Sequence, residues 1–408
     1  MLRAGPKSVF SLIIVFILCT CIDPYYPDFS EYGSLLVVDG LITDEDASYT
    51  VRLSRTLQDQ KGIPLMVSDA TVYISDNAGK TSYLKSVGNG LYKSDSTAFR
   101  GSVGSSYVLH IDTRDGYEYE SDKCQMPEVP EINSIYFEKD QEVVNNGTEI
   151  NEGIRIYLDS EEGDINKYYR WEFEETWKFK VPMPVKSIYI DEFTIIMSTD
   201  VNEYCWKSKK SEEILIHPVY SGESGRIQRE PIFFIASDKS DRLMLEYSIL
   251  VKQYSMSKSE YGFWDNLRKI NDKSGDIFEY QPYPVNSNIH NINNPKERVL
   301  GYFQVSAVKK KRKNIPFTDV VGSGLPFYHY SCERIAFSPK DFPWSLFTPP
   351  LTWDDVIYMF TTSGYSFVEP LYLHGTTTLD RLVFTKPECA DCSLTGTLKE
   401  PDFSVDLK

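Results

Sequence analysis

Ser48-Tyr-Thr-Val-Arg-Leu-Ser54 sets Tyr49, Val51 and Leu53 on one side of an extended chain and Thr50, Arg52 and Ser54 on the other. A period of two, rich in β-branched and aromatic residues, is the pattern of a strand buried on one face. The same pattern continues outward. Residues 70–75 and 81–84 flank Asn77-Ala78-Gly79 and read as a hairpin, and Gly88-Asn89-Gly90 marks another turn. Residues 106–113 put Tyr107, Leu109 and Ile111 on one face; Asp115-Gly116 then turns the chain into a return strand begun by Tyr117 and Tyr119. Short strands at such spacing predict an immunoglobulin-like or transthyretin-like β-sandwich over 34–128. His110 lies on the face opposite Leu109; a lone strand histidine is ordinarily solvent-facing or hydrogen-bonded, and no task is assigned to it.

Met126-Pro127-Glu128-Val129-Pro130 reads as a linker, because two prolines deny ladder hydrogen bonds. A larger β-rich domain is expected over 129–388, with strands near 153–158, 168–179, 213–217, 242–254 and 298–308. One packed helix is expected near 258–274. Ser257-Lys-Ser-Glu260 is a capping box, Tyr261, Trp264, Leu267 and Ile270 recur near helical spacing with Phe263 alongside, and Gly275 is the terminator. The aromatic stripe is read as a packing face. The fold class is therefore mainly β, closed by a Cys-x-x-Cys tail over 389–408.

The amino terminus supplies an address. Arg3 and Lys7 precede the apolar run at 9–19, which is too short to cross about 30 Å of hydrocarbon as a helix. The run ends Leu18-Cys19-Thr20-Cys21, which resembles a bacterial lipobox. Residues 1–20 are then a lipoprotein signal peptide and Cys21 is the lipidated mature terminus. Cys19 is the rival position. Each buried CH₂ of an acyl chain contributes about 0.8 kcal/mol, so several chains hold a protein on a bilayer. Residues 21–33, stiffened by Pro24 and Pro27, read as a tether.

Composition narrows the function. The 408 residues carry 59 acidic against 43 basic side chains, a net charge of −16, which disfavours nucleic acid as a partner. Five cysteines follow Cys21, so at least one stays free. In an exported protein Cys205, Cys332, Cys389 and Cys392 form the expected disulfide set, with the pairing open. Cys389-Ala-Asp-Cys392 has no second half-site for zinc and no thioredoxin-like βαβ frame, so a structural bridge is preferred there. No His-Glu-x-x-His motif exists, and Ser221-Gly-Glu-Ser-Gly225 lacks the nucleophile elbow. Asp159-Ser-Glu-Glu-Gly-Asp164 misplaces the glycine of a calcium loop, and Arg170 stands where the bidentate glutamate belongs. No catalytic residue, metal site or cofactor is assigned. Lys309, Lys310, Lys311, Arg312 and Lys313 form the one dense basic run. It reads as protection of a sheet edge or, alternatively, as a contact for phosphate groups or an acidic protein rim.

A wider set of residues carries a resemblance. Ile22-Asp23-Pro24, Val38-Asp39-Gly-Leu-Ile-Thr43, Tyr169-Arg170-Trp171, Cys205-Trp206, Pro231-Ile-Phe-Phe-Ile235 and Tyr247-Ser-Ile-Leu-Val-Lys-Gln-Tyr254 begin it. Tyr261-Gly-Phe-Trp264, Asn288-Ile-His290, Val299-Leu-Gly-Tyr-Phe303, Cys389-Ala-Asp-Cys392 and Lys399-Glu-Pro-Asp-Phe403 complete it. Together these resemble an outer-membrane lipoprotein family of Bacteroidota known as a domain of unknown function, 4249, often encoded beside TonB-dependent receptors. Ser287 stands where the family pattern has glycine. The stretch 340–366, with Trp344 and Trp353, is longer than in the family pattern, and these two tryptophans join the basic run as candidate interaction residues. The resemblance implies a lipid-anchored, outward-facing module with an outer-membrane receptor as its partner and an unnamed ligand. The expected function is binding or accessory. A surface hydrolase acting on glycan or peptide, or a structural subunit of an outer-membrane assembly, is the alternative.

Overall fold

The computed structural model describes residues 34–56, 64–95, 99–161, 168–218, 226–272, 285–342 and 350–401. Cys21, the expected signal and tether, Gly275 and Trp344 lie outside the described residues.

The chain is mainly β. Leu36–Ile42 (β1) and Thr50–Arg55 (β2) pair antiparallel, with Val38 opposite Leu53. Val51 and Leu53 are buried while Thr50 and Arg52 are exposed, as the alternation requires. Leu65–Met66 (β3), Thr71–Asp76 (β4), Thr81–Ser86 (β5), Leu91–Lys93 (β6), Ser106–Asp112 (β7), Glu118–Ser121 (β8) and Cys124–Gln125 (β9) extend this sheet. Ile132–Val144 (β10), Glu149–Ser160 (β11), Tyr168–Lys180 (β12), Ser187–Asp191 (β13), Thr194–Met197 (β14), Tyr204–Lys210 (β15), Leu215–Pro218 (β16), Glu230–Ala236 (β17) and Glu246–Ser255 (β18) follow. Then come Lys258–Asp272 (α1), Ile289–Asn291 (β19), Leu300–Val305 (β20), Val308–Pro316 (β21), Phe317–Val321 (α2), Ile335–Phe337 (β22), Trp353–Thr362 (α3), Ser366–Tyr372 (β23) and Leu379–Thr385 (β24).

The first sheet runs β19-β8-β7-β4-β5-β6-β2-β1-β20, with β3 beside β2 and β9 beside β7. Residues 34–128 thus do not complete their own sheet: β19 takes one end and β20 the other. The pairing of β1 with β20 is parallel, Val38 opposite Gly301 and Gly40 opposite Phe303. Gly301 has φ +84°, and a Cβ there would sit 1.9 Å from the Val38 carbonyl oxygen, so the close approach of the strands requires glycine. A second sheet runs β15-β12-β18-β21 with β16 on β12, a third β10-β11-β17, and a fourth β22-β24-β23. One buried cluster extends from Leu36 and Leu53 through Trp171, Phe179 and Tyr247 to Cys392, so the sheets on both sides of the 126–130 segment share a core. Two small clusters, around Phe384 and around Val383, belong to the carboxy-terminal sheet.

Disulfides tie that last sheet to the rest. Cys205 of β15 joins Cys392, and Cys332 joins Cys389, so the two cysteines of the Cys-x-x-Cys motif pair with different distant partners. Cys124 is free. The loops closed span 187 and 57 residues, and bridges of this kind contribute about 2–5 kcal/mol each in small domains.

Helix α1 begins at its expected cap, where the Glu260 amide donates to Ser257 Oγ at 3.2 Å. Its aromatic stripe packs: Phe263 meets Tyr302 at 4.8 Å between ring centroids, and Tyr261 meets Tyr168 at 4.9 Å. The Glu260 carboxyl, assigned by the sequence to the box, instead lies inside the protein, 3.5 Å from Ser306 Oγ.

Candidate functional site

Four places in this framework gather chemistry-bearing side chains. The first is the seam where β1, β12, β18, β20 and α1 meet. The buried Arg170 guanidinium lies between the rings of Tyr254 and Trp264, 4.6 Å from each centroid. It pairs with Glu172, and its Nη2 donates to Gln304 Oε1 at 3.3 Å. Tyr254 Oη donates to Glu172 Oε2 at 3.2 Å. Glu260 is buried near the same guanidinium. Burial pushes its carboxyl up to about 8 despite the opposing pull of Arg170. Partial desolvation also raises Asp39, against Arg52 and Arg170, although this residue still reaches solvent. For Glu260 the cost of desolvation outweighs the pull of the guanidinium, which favours the protonated acid at neutral pH. The arrangement holds α1 against two sheets.

The second is a cavity of about 450 Å³ beside it, lined by Asp122, Cys124, Glu128, Ser257, Ser259 and Tyr302 among others. Tyr302 Oη and Ser259 Oγ are 3.0 Å apart, as are Ser259 Oγ and Ser257 Oγ. Burial pushes the Cys124 thiol up to about 12, so it stands as a neutral thiol and a poor nucleophile.

The third is a cross-strand row. Tyr83, Tyr73, His110, Glu120 and His290 sit opposite one another on β5, β4, β7, β8 and β19. Ser75 Oγ is 2.8 Å from His110 Nε2, and His110 Nδ1 is 3.1 Å from Glu120 Oε1. As a lone strand histidine His110 carries no task in the sequence; Ser75 lies 35 residues away, and only strand register brings them together. A serine, a histidine and a carboxylate in this order have the connectivity of a hydrolytic relay. The relay needs an anion hole, and the amides nearby are spent in the sheet: Asp76 N donates to Lys80 O and Asn77 N to Ser106 O. Tyr73 also stacks flat on the imidazole at 4.6 Å.

The fourth is the β13–β14 hairpin. Ile188 opposes Ile196, and Tyr189 opposes Ile195. The Tyr189 and Ile195 face packs on the small core around Val356, Leu382 and Phe384. The other face leaves Ile188, Ile190 and Ile196 open, and at the turn Phe193 is 90% exposed. Ser187-Ile-Tyr-Ile-Asp191 alternates like a strand, but the alternation alone does not mark these residues as a site. Which face is covered depends on the distant Phe384.

The candidate interaction residues do not converge. The basic run lies on β21, the last strand of its sheet. Lys309 pairs with Glu131, Lys310 with Glu45 at 2.8 Å, Lys311 Nζ donates to Asn133 O at 2.8 Å, and Arg312 Nη1 donates to Ser248 Oγ at 2.9 Å. Lys313 follows on the same strand, opposite Ile249. Much of the run's charge is therefore engaged within the fold. Trp353 opens α3 with its ring packed on the small core around Phe384. Among the described residues, no three His, Cys, Asp or Glu side chains gather as a metal site, and no helix is long and apolar enough to cross a membrane.

Several β-sheets around a shared core, disulfide-tied at the carboxy end and bearing an open apolar hairpin, define a mainly β protein. The model of the family described as Domain of unknown function (DUF4249) matches residues 22–312, and the chain belongs to that family. No curated protein matches it.

Proposed function

We propose that this chain is an outer-membrane lipoprotein of the Bacteroidota, held by acyl chains on Cys21, that works as a binding or accessory module. Its partner is a TonB-dependent receptor, which it assists in ligand capture or gating. The observation that carries this reading is Leu18-Cys19-Thr20-Cys21 at the end of an apolar run too short to span a bilayer. The open apolar hairpin supports it as a surface for a protein partner. The test is recovery of the tagged protein from detergent-solubilised outer membrane. A receptor barrel in fixed proportion, lost with Cys21→Ser, is the expected result. Recovery of no partner, together with turnover on a panel of glycans and peptides, would overturn it.

The contact of Ser75, His110 and Glu120 favours a second reading, a surface hydrolase. A fluorophosphonate probe separates the two. Labelling that disappears with Ser75→Ala supports the hydrolase. An unlabelled protein supports the binding module.

A further inference from the structure

The open hairpin differs from an ordinary exposed apolar patch in what surrounds it. Asp191 and Glu192 immediately precede Phe193 in the turn, and Asp191 Oδ1 accepts the Phe193 amide at 2.9 Å, which fixes the phenylalanine at the tip. Tyr189, on the hairpin's packed side, donates its hydroxyl to Asp354 Oδ1 at 2.8 Å. Burial and the carboxylates of Asp354, Glu192 and Asp191 together raise the Tyr189 phenol far above its usual range. Asp191 and Glu192 thus flank the tip and Asp354 meets the packed side of a finger whose outer face is isoleucine and whose tip is an exposed phenyl ring. Lys186 at the base is the one basic side chain between residues 181 and 201.

This combination discriminates among occupants. Side chains that insert into a bilayer are ordinarily flanked by lysine and arginine, which meet anionic headgroups; here the flanking charge is negative and would be repelled. A second copy of the chain, meeting hairpin to hairpin across a two-fold axis, would bring like carboxylates together in a protein of net charge −16. A protein surface with an apolar cleft edged by basic side chains satisfies both the isoleucine face and the acidic collar.

We propose that the β13–β14 hairpin is a docking finger, with Phe193 as its anchor, for a partner protein carrying an apolar cleft rimmed by lysine or arginine. An aromatic anchor in a cleft supplies most of the affinity, and a charged collar sets orientation and the rate of encounter. The proposal rests on the tethered-module reading and specifies the surface and partner chemistry that such a module would use.

The test places a photo-crosslinking p-benzoylphenylalanine at position 193 of the full-length chain, in the cells that make it, followed by mass spectrometry of the crosslinked peptides. The same substitution at Tyr83, exposed on the first sheet, serves as the control site. The expected result is a crosslink from position 193 to one other protein, at an apolar surface residue with lysine or arginine around it, and no such product from position 83. Combining Asp191→Lys with Glu192→Lys should lower the yield at least tenfold at unchanged protein abundance and circular dichroism. Crosslinks to lipid, to a second copy, within the same chain, or to nothing would overturn the proposal, as would a yield indifferent to charge reversal. A labelled fatty acid fed in parallel reports on Cys21 separately. Anchored protein without the crosslink sinks the finger alone, and absence of label sinks the tethered reading.

Discussion

The seam around Arg170, where strands meet helix α1, and the β13–β14 hairpin distribute polarity in opposite ways. At the seam, Arg170 and Glu260 are buried, while Asp39 titrates high because of its surroundings. At the hairpin, Ile188, Ile190, Ile196 and Phe193 face solvent beside acidic side chains. Burying a charge costs several kcal/mol unless its partners are in place, so the seam forms only when separate stretches of chain arrive together. Leaving isoleucine in water costs far less, and another surface can recover it. The first arrangement makes one conformation obligatory; the second leaves a surface available.

The comparison breaks most visibly at the seam. Arg170→Ala removes the one guanidinium that faces Glu172 and lies between two rings, and should cost about 4 kcal/mol, read as a lower denaturation midpoint. Glu260→Gln should act in the opposite direction and only at higher pH. Its carboxyl stands at about 8 when folded against 4.5 as the ordinary value. Its contribution is fully present below the unfolded value and falls away as pH rises through the interval to the folded one. The wild type should therefore lose stability from pH 5 to pH 8, and the glutamine variant should hold about 3 kcal/mol of that loss back at pH 8, measured by urea titration across pH. A flat wild-type profile would show that the buried carboxyl is not held neutral.

Further toward the carboxy terminus, replacing Cys205 and Cys392 together with serine should cost about 2 kcal/mol, the low end for such a bridge, because Cys332 and Cys389 still restrain the segment. Limited proteolysis should then cut the carboxy-terminal sheet before the first sheet. The smallest effect belongs to the hairpin: Ile188→Ser with Ile190→Ser should change stability by less than about 0.5 kcal/mol, since both side chains already face water. A large loss there would mean that the finger is part of the core and would erase the contrast.

Sequence patterns reached some of this and stopped at identifiable points. The strand at Tyr49, Val51 and Leu53 and the start of α1 at Ser257 are legible because their signals lie within a few residues. The destination of the Glu260 carboxyl is not, since the same spacing serves a cap or an inward turn and the outcome depends on Ser306. The four bonded cysteines are legible as a set, while their pairing depends on the fold, which splits Cys389 from Cys392. The contact of Ser75 with His110 follows from register between β4 and β7, which alternation alone does not reveal. The open hairpin face was hidden for a related reason: alternation shows that a strand has two faces, and only packing decides which one is left uncovered.

The parallel pairing of β1 with β20 sets an order on assembly. Val37 meets Leu300, so the outer edge of β1 stays unfilled until a segment far along the chain docks beside it. Until then that edge is a row of unpaired amides and carbonyls, open to any extended chain nearby. A truncation ending before residue 300 should therefore yield aggregates rather than a smaller soluble domain.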